Sequence, residues 1–285
     1  MGKIYDALEK YQESNQNTVA KSKGSIAEYY ASREGAQDGV DLLKPLKEPM
    51  PVDSRLVTFL KPRSIESEMF KILRGNLLFP KSGKPPRSMM ITSAVPGEGK
   101  TFVSANLAVS IAQNINEHVL LMDCDIRKPS IHTMLGLDEG PGLAEYLTNG
   151  LDLSKLLVRT GIEKLTILPG GNPPPNPAEL LSSQKMSLLL EEVKSRYQDR
   201  YIIIDSPPPQ LTAEANAIAR QVDGIIIVVK YGGTPRAMVE EMVGVLGKEK
   251  IVGCVMNWFD LRSSGYFAYG KYGGYSKYYG KKSSR

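Results

Sequence analysis

The sequence predicts an α/β domain with a mostly parallel sheet and helices on both faces. Short apolar runs alternate with segments of helical periodicity, which is the pattern of repeated βαβ units. The apolar runs contain few polar positions, so we expect strands that are buried on both faces. The runs occupy 88–93, 118–123, 164–168, 201–205, 224–229 and 250–256, and the helical segments occupy 64–79, 100–113, 178–197, 212–221 and 235–247.

The two ends of the chain differ in composition from this central region. Near the start, Ile4, Leu8 and Tyr11 share one face of a short helix, and polar residues, Gly and Pro then follow without periodicity. The C-terminal end is rich in Gly, Ser, Lys and Tyr, which predicts a flexible tail. The expected organisation is an N-terminal helix and linker at 1–50, an α/β domain at 51–260 and a tail at 261–285.

The positive charge of the chain is concentrated in the tail. The net charge is +5, yet residues 261–285 carry six basic residues and no acidic one, so the remainder is slightly acidic. This distribution does not support a nucleic-acid-binding surface. No apolar run approaches the roughly 20 residues that cross a membrane. Cys124 and Cys254 lie in apolar strand-like runs, where buried, reduced thiols and a cytoplasmic location are expected.

A phosphate-binding loop is predicted between the first strand and the helix after it. Residues 94–101, A-V-P-G-E-G-K-T, match G-x-x-x-x-G-K-[ST] except at the first position. Glycines let backbone N–H groups face phosphates, Lys100 would contact the β- and γ-phosphates, and the Thr101 hydroxyl would bind Mg²⁺. A Gly-rich turn with a solvated lysine is the alternative. The predicted nucleotide-contacting residues are Pro96, Gly97, Glu98, Gly99, Lys100, Thr101 and Phe102.

Two further apolar runs end in acidic residues. Asp205 ends Y-I-I-I-D, the position of a Walker B carboxylate, and is predicted to bind Mg²⁺ directly or through water. D-C-D-I-R follows another run and supplies Asp123 and Asp125. Because the carboxyl ends of parallel strands meet at one edge, we expect the three motifs to converge in one crevice. Arg127 either stabilises phosphate charge there or pairs with a neighbouring carboxylate, as does Lys128.

Tyrosines recur through the basic tail and could accept a phosphoryl group. A tyrosine hydroxyl is weakly acidic, so transfer to it gains from a nearby base. Asp123 is assigned as that base and Asp125 to the magnesium shell, and the reverse order is left open. A sticky tail or one that stacks on RNA bases is the alternative. The candidate acceptors are Tyr266, Tyr269, Tyr272, Tyr275, Tyr278 and Tyr279.

Together, the P-loop, the D-x-D-x-R motif, the Walker B carboxylate and the tyrosine cluster resemble the bacterial tyrosine kinases (BY-kinases) of polysaccharide export. The resemblance covers about residues 55–279, and the opening M-G-K-I-Y-D-A-L resembles members from exopolysaccharide clusters with an exosortase. It implies an autokinase that uses ATP and Mg²⁺ to phosphorylate its tail tyrosines in trans. Regulation of exopolysaccharide production and further protein substrates are implied as well.

The resemblance also implies self-association and a membrane partner. The E-x-x-R-x-x-R motif of the family, implicated in ring-shaped assembly, appears here as Glu68, Lys71 and Arg74. Lysine keeps the charge of arginine but loses its bidentate fork. Phosphorylation would reverse the tail's charge, so we expect it to weaken the assembly. With no fused transmembrane module, the chain resembles the split type, recruited to the inner membrane face and activated by the cytoplasmic tail of a co-polymerase-like membrane protein.

Two other functions are compatible with a P-loop domain, but the sequence favours them less than a kinase. A chromosome- or septum-positioning ATPase usually carries an additional lysine early in the P-loop, where this chain has Val95. A non-catalytic, nucleotide-sensing scaffold would not need Lys100, Thr101 and all three aspartates. Both comparisons favour the kinase.

Overall fold

The computed structural model describes residues 52–196, 200–209 and 213–259. These residues form a seven-stranded sheet in the order β3-β4-β2-β5-β1-β6-β7. The predicted helix and linker at 1–50 and the tail at 261–285 lie outside the described residues. The strands are β1 Ser88–Ser93, β2 His118–Asp123, β3 Val158–Arg159, β4 Leu165–Leu168, β5 Arg200–Asp205, β6 Gly224–Lys230 and β7 Ile251–Asn257.

The predicted mostly parallel sheet with helices on both faces is confirmed. Every pair of neighbouring strands is parallel except β3 and β4, which are antiparallel. β3 was not predicted, because two residues are too few to show a periodic pattern. The predicted bounds of the other strands agree with the structure to within one residue at each end.

The described helices include four of the five that the periodicity predicted and several short ones that it missed. The predicted helix at 178–197 is wrong as a single element, because two helices cover this range. The Ser183 hydroxyl accepts the N–H of Met186 at 3.2 Å and so caps a new helix. The helices are α1 Val57–Leu60, α2 Ile65–Leu78, α3 Lys100–Ala112, α4 Ile131–Met134, α5 Leu143–Asn149, α6 Leu153–Leu156, α7 Pro177–Leu181, α8 Gln184–Arg196, α9 Ala213–Gln221 and α10 Arg236–Leu246.

One apolar core lies on each face of the sheet. Successive strand residues point to opposite faces, so in β5 Ile203 contributes to the core with α2 and α3, and Ile204 to the core with α8 and α9. Helix α3 is buried continuously from Val103 to Ala112. A helix buried on all sides cannot tilt without disturbing its neighbours, so the first turn of α3 has a fixed position at the edge of the sheet.

Strand β7 corrects the expectation that all six predicted strands are buried on both faces. Among the described strands it pairs only with β6 and forms one edge of the sheet, and its residues are exposed or half-buried. Val252 and Met256 keep 45% and 57% of their surface exposed. Cys254 is exposed too, so its predicted burial is wrong, whereas Cys124 is buried as expected. No helix among the described residues is long and apolar enough to span a bilayer.

Candidate active site

The predicted phosphate-binding loop lies between β1 and α3. Gly97 and Gly99 have φ angles of +80° and +92°, which side-chain-bearing residues rarely adopt. Ala94 at the first position of the motif is not among the residues with positive φ, so alanine is accommodated there. Lys100 begins α3 and is only 8% exposed. The loop therefore combines two glycines in the left-handed conformation with a lysine at the N-terminus of a helix, which is the arrangement typical of a phosphate-binding loop.

Glu98 anchors the loop instead of facing a ligand. Its buried carboxylate accepts the N–H of Val95 at 3.0 Å through one oxygen. The other oxygen accepts the N–H of Lys230 at 3.0 Å and the hydroxyl of Thr234. These bonds fix the loop to the carboxyl end of β6. Glu98 was predicted to contact the nucleotide, but its side chain is already hydrogen-bonded within the protein.

Phe102 also has its side chain directed away from the loop. Its ring packs edge-to-face on Phe70 of α2, with 5.7 Å between the ring centroids. Phe102 is partly buried and packs against the core on that face of the sheet. Phe102 can therefore contribute to phosphate binding only through its backbone N–H, which lies in the first turn of α3.

Asn257, at the end of β7, holds the loop from the other side. Its Nδ2 donates to the carbonyl of Glu98 at 2.7 Å. A Cβ at Gly99 would collide with that same nitrogen. The next residue, Trp258, has φ of +61°, and its exposed ring lies 5.1 Å from the Nζ of Lys230. These contacts could not be predicted from the sequence, because Asn257 lies far along the chain from the loop.

Asp205 receives two hydroxyl groups from α3. Thr101 Oγ1 donates to one carboxylate oxygen at 2.7 Å, and Ser104 Oγ donates to the other at 3.0 Å. Ser104 was not predicted, although it lies one helical turn after Thr101 and so on the same face of α3. The predicted convergence of the P-loop and the Walker B position is present in the structure.

The two aspartates of the D-x-D motif have different surroundings. Asp123 is fully buried, and its carboxylate accepts the N–H groups of Asp125 at 3.2 Å, Ser130 at 2.8 Å and Ile131 at 3.0 Å. Asp125 is only partly buried. The Asp123 side chain thus organises the loop after β2, whereas Asp125 keeps part of its surface exposed.

The positive charge near these carboxylates only partly offsets the effect of their burial on their pKa values. Burial, together with repulsion from Asp205, raises the pKa of Asp123 to about 8, although backbone N–H bonds oppose the shift. Burial also raises the pKa of Asp205 to about 6, against the Thr101 hydroxyl and the charge of Lys100. Burial raises the pKa of Asp125 as well, again opposed chiefly by Lys100. A cation bound here would favour the ionised form of all three groups.

The chemistry of these donors fits Mg²⁺. The hydroxyl of Thr101 and the carboxylates of Asp125 and Asp205 are hard oxygen ligands, which Mg²⁺ prefers. Among the described residues, no group of three or more His, Cys, Asp or Glu side chains is arranged to hold a metal by itself. Magnesium at this place would therefore complete its shell with phosphate oxygens and water, as it commonly does with nucleotides.

Arg127 pairs with a carboxylate, which is one of the two roles that the sequence analysis left open for it. Its Nε donates to Glu214 Oε1 at 2.6 Å. Glu214 lies in the first turn of α9 and was not predicted as a site residue. An acidic residue in the first turn of a helix is common enough to give little signal, and only the fold brings it to Arg127.

The residues predicted to mediate assembly lie on α2 and are engaged within their own chain. Lys71 Nζ donates to Glu68 at 2.6 Å and to the carbonyl of Pro62 at 2.9 Å. Arg74 donates to the carbonyl of Ser110 at 2.5 Å. All three predicted side chains are half-buried. The tail tyrosines lie outside the described residues.

The position of the P-loop after a central strand, with a carboxylate at the end of the adjacent strand, defines the molecule as a P-loop NTPase. A sequence family described as an AAA domain matches residues 87–243. The tyrosine-protein kinase YwqD of Bacillus subtilis (strain 168) is 36% identical over 220 residues, covering 76% of this chain and 91% of the relative. The chain belongs to the family of bacterial tyrosine-protein kinases, which confirms the resemblance seen in its motifs.

Solved structures agree with this assignment. The kinase domain of the Escherichia coli tyrosine kinase ETK has a TM-score of 0.68 and 29% identity, covering 83% of this chain and 89% of that one. A more distant fold neighbour is the septum site-determining protein MinD of Pyrococcus horikoshii, solved with Mg-ADP. Its TM-score is 0.53 at 25% identity, and the match covers 62% of this chain and 72% of that one.

The contact between Gly99 and Asn257 predicts unequal effects of two glycine substitutions. Gly97→Ala adds a Cβ in open space and should cost about 1–2 kcal/mol through its positive φ. Gly99→Ala adds the collision with Asn257, about 1–3 kcal/mol more. Urea unfolding of both variants measures the difference. Gly99→Ala combined with Asn257→Ala should recover part of the additional loss, and equal losses for the two single variants would contradict this packing.

Proposed function

We propose that the protein is an ATP-dependent autokinase that phosphorylates the tyrosines of its own C-terminal tail, between subunits. The observation that carries the proposal is the cluster of Asp123, Asp125 and Asp205 beside Lys100 at the carboxyl edge of β2 and β5. Hydrolysis alone needs a magnesium ligand and an oriented water, whereas transfer to a tyrosine also uses a base. The acceptors are the six tail tyrosines, Tyr266, Tyr269, Tyr272, Tyr275, Tyr278 and Tyr279.

The ligand of the P-loop is proposed to be Mg·ATP. The phosphates would accept backbone N–H groups of the loop and contact Lys100, and bound Mg²⁺ would neutralise charge on the phosphoryl group. Thr101 and Asp205 would supply protein ligands, because the hydroxyl and carboxylate oxygens already lie 2.7 Å apart. Support comes from the MinD neighbour, whose structure contains Mg-ADP.

Asp125 is the better placed of the two D-x-D carboxylates to meet a tyrosine hydroxyl. The side chain of Asp123 is fully buried and accepts three backbone N–H groups, so an incoming tyrosine would have to displace the loop after β2. Asp125 is partly exposed and lies within the electrostatic influence of Lys100. We therefore propose Asp125, and not Asp123, as the base, which leaves Thr101 and Asp205 as the protein ligands of Mg²⁺. Asp123 would position Asp125 by accepting its backbone N–H.

Assembly is proposed to use the face of α2 that carries Glu68, Lys71 and Arg74. Met69, Ile72 and Phe79 on or just after this helix are exposed large apolar side chains, which supports a contact surface here. A basic tail could then enter the acidic site of a neighbouring subunit. The membrane-protein activator, recruitment to the cytoplasmic membrane, further protein substrates and the link to exopolysaccharide stay predictions from the resemblance.

A positioning ATPase is the rival function, and transfer in trans distinguishes the two. Lys100→Met removes the charge of the lysine while roughly keeping its volume, so this protein should accept phosphate but not transfer it. It is mixed, with Mg·ATP, with an active protein whose six tail tyrosines are Phe. Mass spectrometry should find phosphotyrosine on the Lys100→Met tail. The control is the Lys100→Met protein alone. No phosphate on the inactive tail of the mixture would overturn transfer in trans.

Asparagine variants test the carboxylates. Asp125→Asn removes the charge and nearly keeps the shape, so transfer should slow by about 10²-fold or more, the scale of lost acid–base assistance. Its urea midpoint should stay near that of the parent, because the side chain is only partly buried. Asp138→Asn changes an exposed aspartate and should leave the rate unchanged. A parent-like rate in Asp125→Asn would show that this carboxylate takes no part in transfer.

Sedimentation tests the assembly surface. Lys71→Ala with Arg74→Ala should shift the unphosphorylated protein toward monomer. The control is Arg236→Ala with Lys248→Ala, which removes the same charge from exposed positions on or just after α10. Because Arg74 also bonds to the Ser110 carbonyl, circular dichroism must show that the first variant is folded. A folded variant that sediments like the parent assembly would refute a role for this face.

A further inference from the structure

A buried acidic residue beside the active site has no part in the mechanism described so far. The side chain of Glu214 is 1% exposed, and one of its oxygens accepts the Nε–H of Arg127 at 2.6 Å. The other oxygen is buried and has no hydrogen-bond donor among the described residues. A buried carboxylate that is only half satisfied costs free energy of folding. Its contribution to stability therefore does not explain its presence.

The ion pair joins the two segments that leave the catalytic strands. Arg127 is two residues after Asp125, in the loop that follows β2. Glu214 is in the first turn of α9, the helix that follows β5 and Asp205. A negative side chain is favoured at that end of a helix, and burial restricts the movement of Glu214, so its charge has a defined position. Its bond sets where the guanidinium of Arg127 lies relative to both acidic motifs.

The geometry of the bond leaves part of the guanidinium for a second anion. The Arg127 side chain is half exposed, and its recorded bond to Glu214 uses Nε. In the described part of the chain, neither terminal nitrogen of Arg127 has a recorded acceptor. Those two nitrogens form a planar fork that matches the oxygens of a phosphoryl group. Without Glu214, the long side chain would lose this orientation to rotation in solvent.

We propose that Glu214 is a positioning residue for phosphoryl transfer, holding Arg127 so that its two terminal nitrogens engage the transferring phosphoryl group. The inference rests on the proposed kinase function and identifies Arg127 as a phosphate contact through a residue outside every recognised motif. A charge that is already oriented needs no reorganisation when negative charge moves between donor and acceptor oxygens. Glu214 itself does not touch the substrate, so its effect passes through Arg127.

The test compares Glu214→Gln with the parent in the mixed assay, with the Lys100→Met protein as acceptor. Glutamine keeps the size and one acceptor oxygen but loses the charge. We expect kcat to fall about 10-fold or more, with the KM for ATP changed by less than about twofold. The matched control is Glu240→Gln, which breaks the exposed pair with Arg236 and should give parent rates.

A double variant separates positioning from a general structural role. If Glu214 acts through Arg127, then Glu214→Gln with Arg127→Ala should be no slower than Arg127→Ala alone. Glu214→Asp retains the charge on a shorter side chain and should recover part of the rate. Losses that multiply in the double variant would overturn the proposal. So would a kcat within twofold of the parent in a folded Glu214→Gln protein.

Failure of the kinase function would look different. A parent protein that releases ADP but leaves no phosphate on tyrosine would contradict the proposed function alone. The same variants would then be compared by ADP release, where the coupling between Glu214 and Arg127 makes the same prediction for phosphoryl transfer to water. If Glu214→Gln fails to fold, the same comparison of single and double variants is made with Glu214→Asp, Arg127→Ala and the protein that carries both changes. Losses of rate that multiply in that double variant would overturn the proposal.

Discussion

The register of two neighbouring strands determines the chemistry of this molecule. Asp123 and Asp205 end β2 and β5 and are paired residues in that register, so two carboxylates lie side by side in the interior. Like charges so placed cannot both be ionised without compensation. Hydroxyl groups, backbone N–H groups and Lys100 supply part of it. A bound cation would supply the rest, which links occupancy of the site to the stability of the sheet edge.

Helix α3 transmits this constraint to the phosphate-binding loop. Because the helix is buried along most of its length, the residues of its first turn have little freedom. Thr101 and Ser104 are held against Asp205 from this helix, and Glu98 ties the preceding loop to the end of β6. The loop is therefore built into the sheet from both sides, and a nucleotide meets an arrangement that needs little ordering on binding.

The fold and the site could be predicted from the sequence where the residues that define a feature are adjacent in the chain. Strands buried on both faces are continuous apolar runs, so their bounds could be predicted, and the P-loop and aspartate motifs are contiguous. An apolar run does not record how many neighbours a strand has, which is why the exposure of β7 was missed. The contacts of Glu98 with Lys230, of Asn257 with Glu98 and of Arg127 with Glu214 join residues distant along the chain. Only the folded topology creates them.

The edge position of β7 gives the molecule a natural optical reporter. Trp258 is the only tryptophan of the chain, and the residue is 63% exposed. It directly follows Asn257, which bonds to the phosphate-binding loop, and its ring lies beside Lys230, whose N–H bonds to Glu98 in the same loop. Any rearrangement of the loop therefore reaches the indole through two short connections. Fluorescence excited where the 14 tyrosines do not absorb would follow events at this loop in the unlabelled protein.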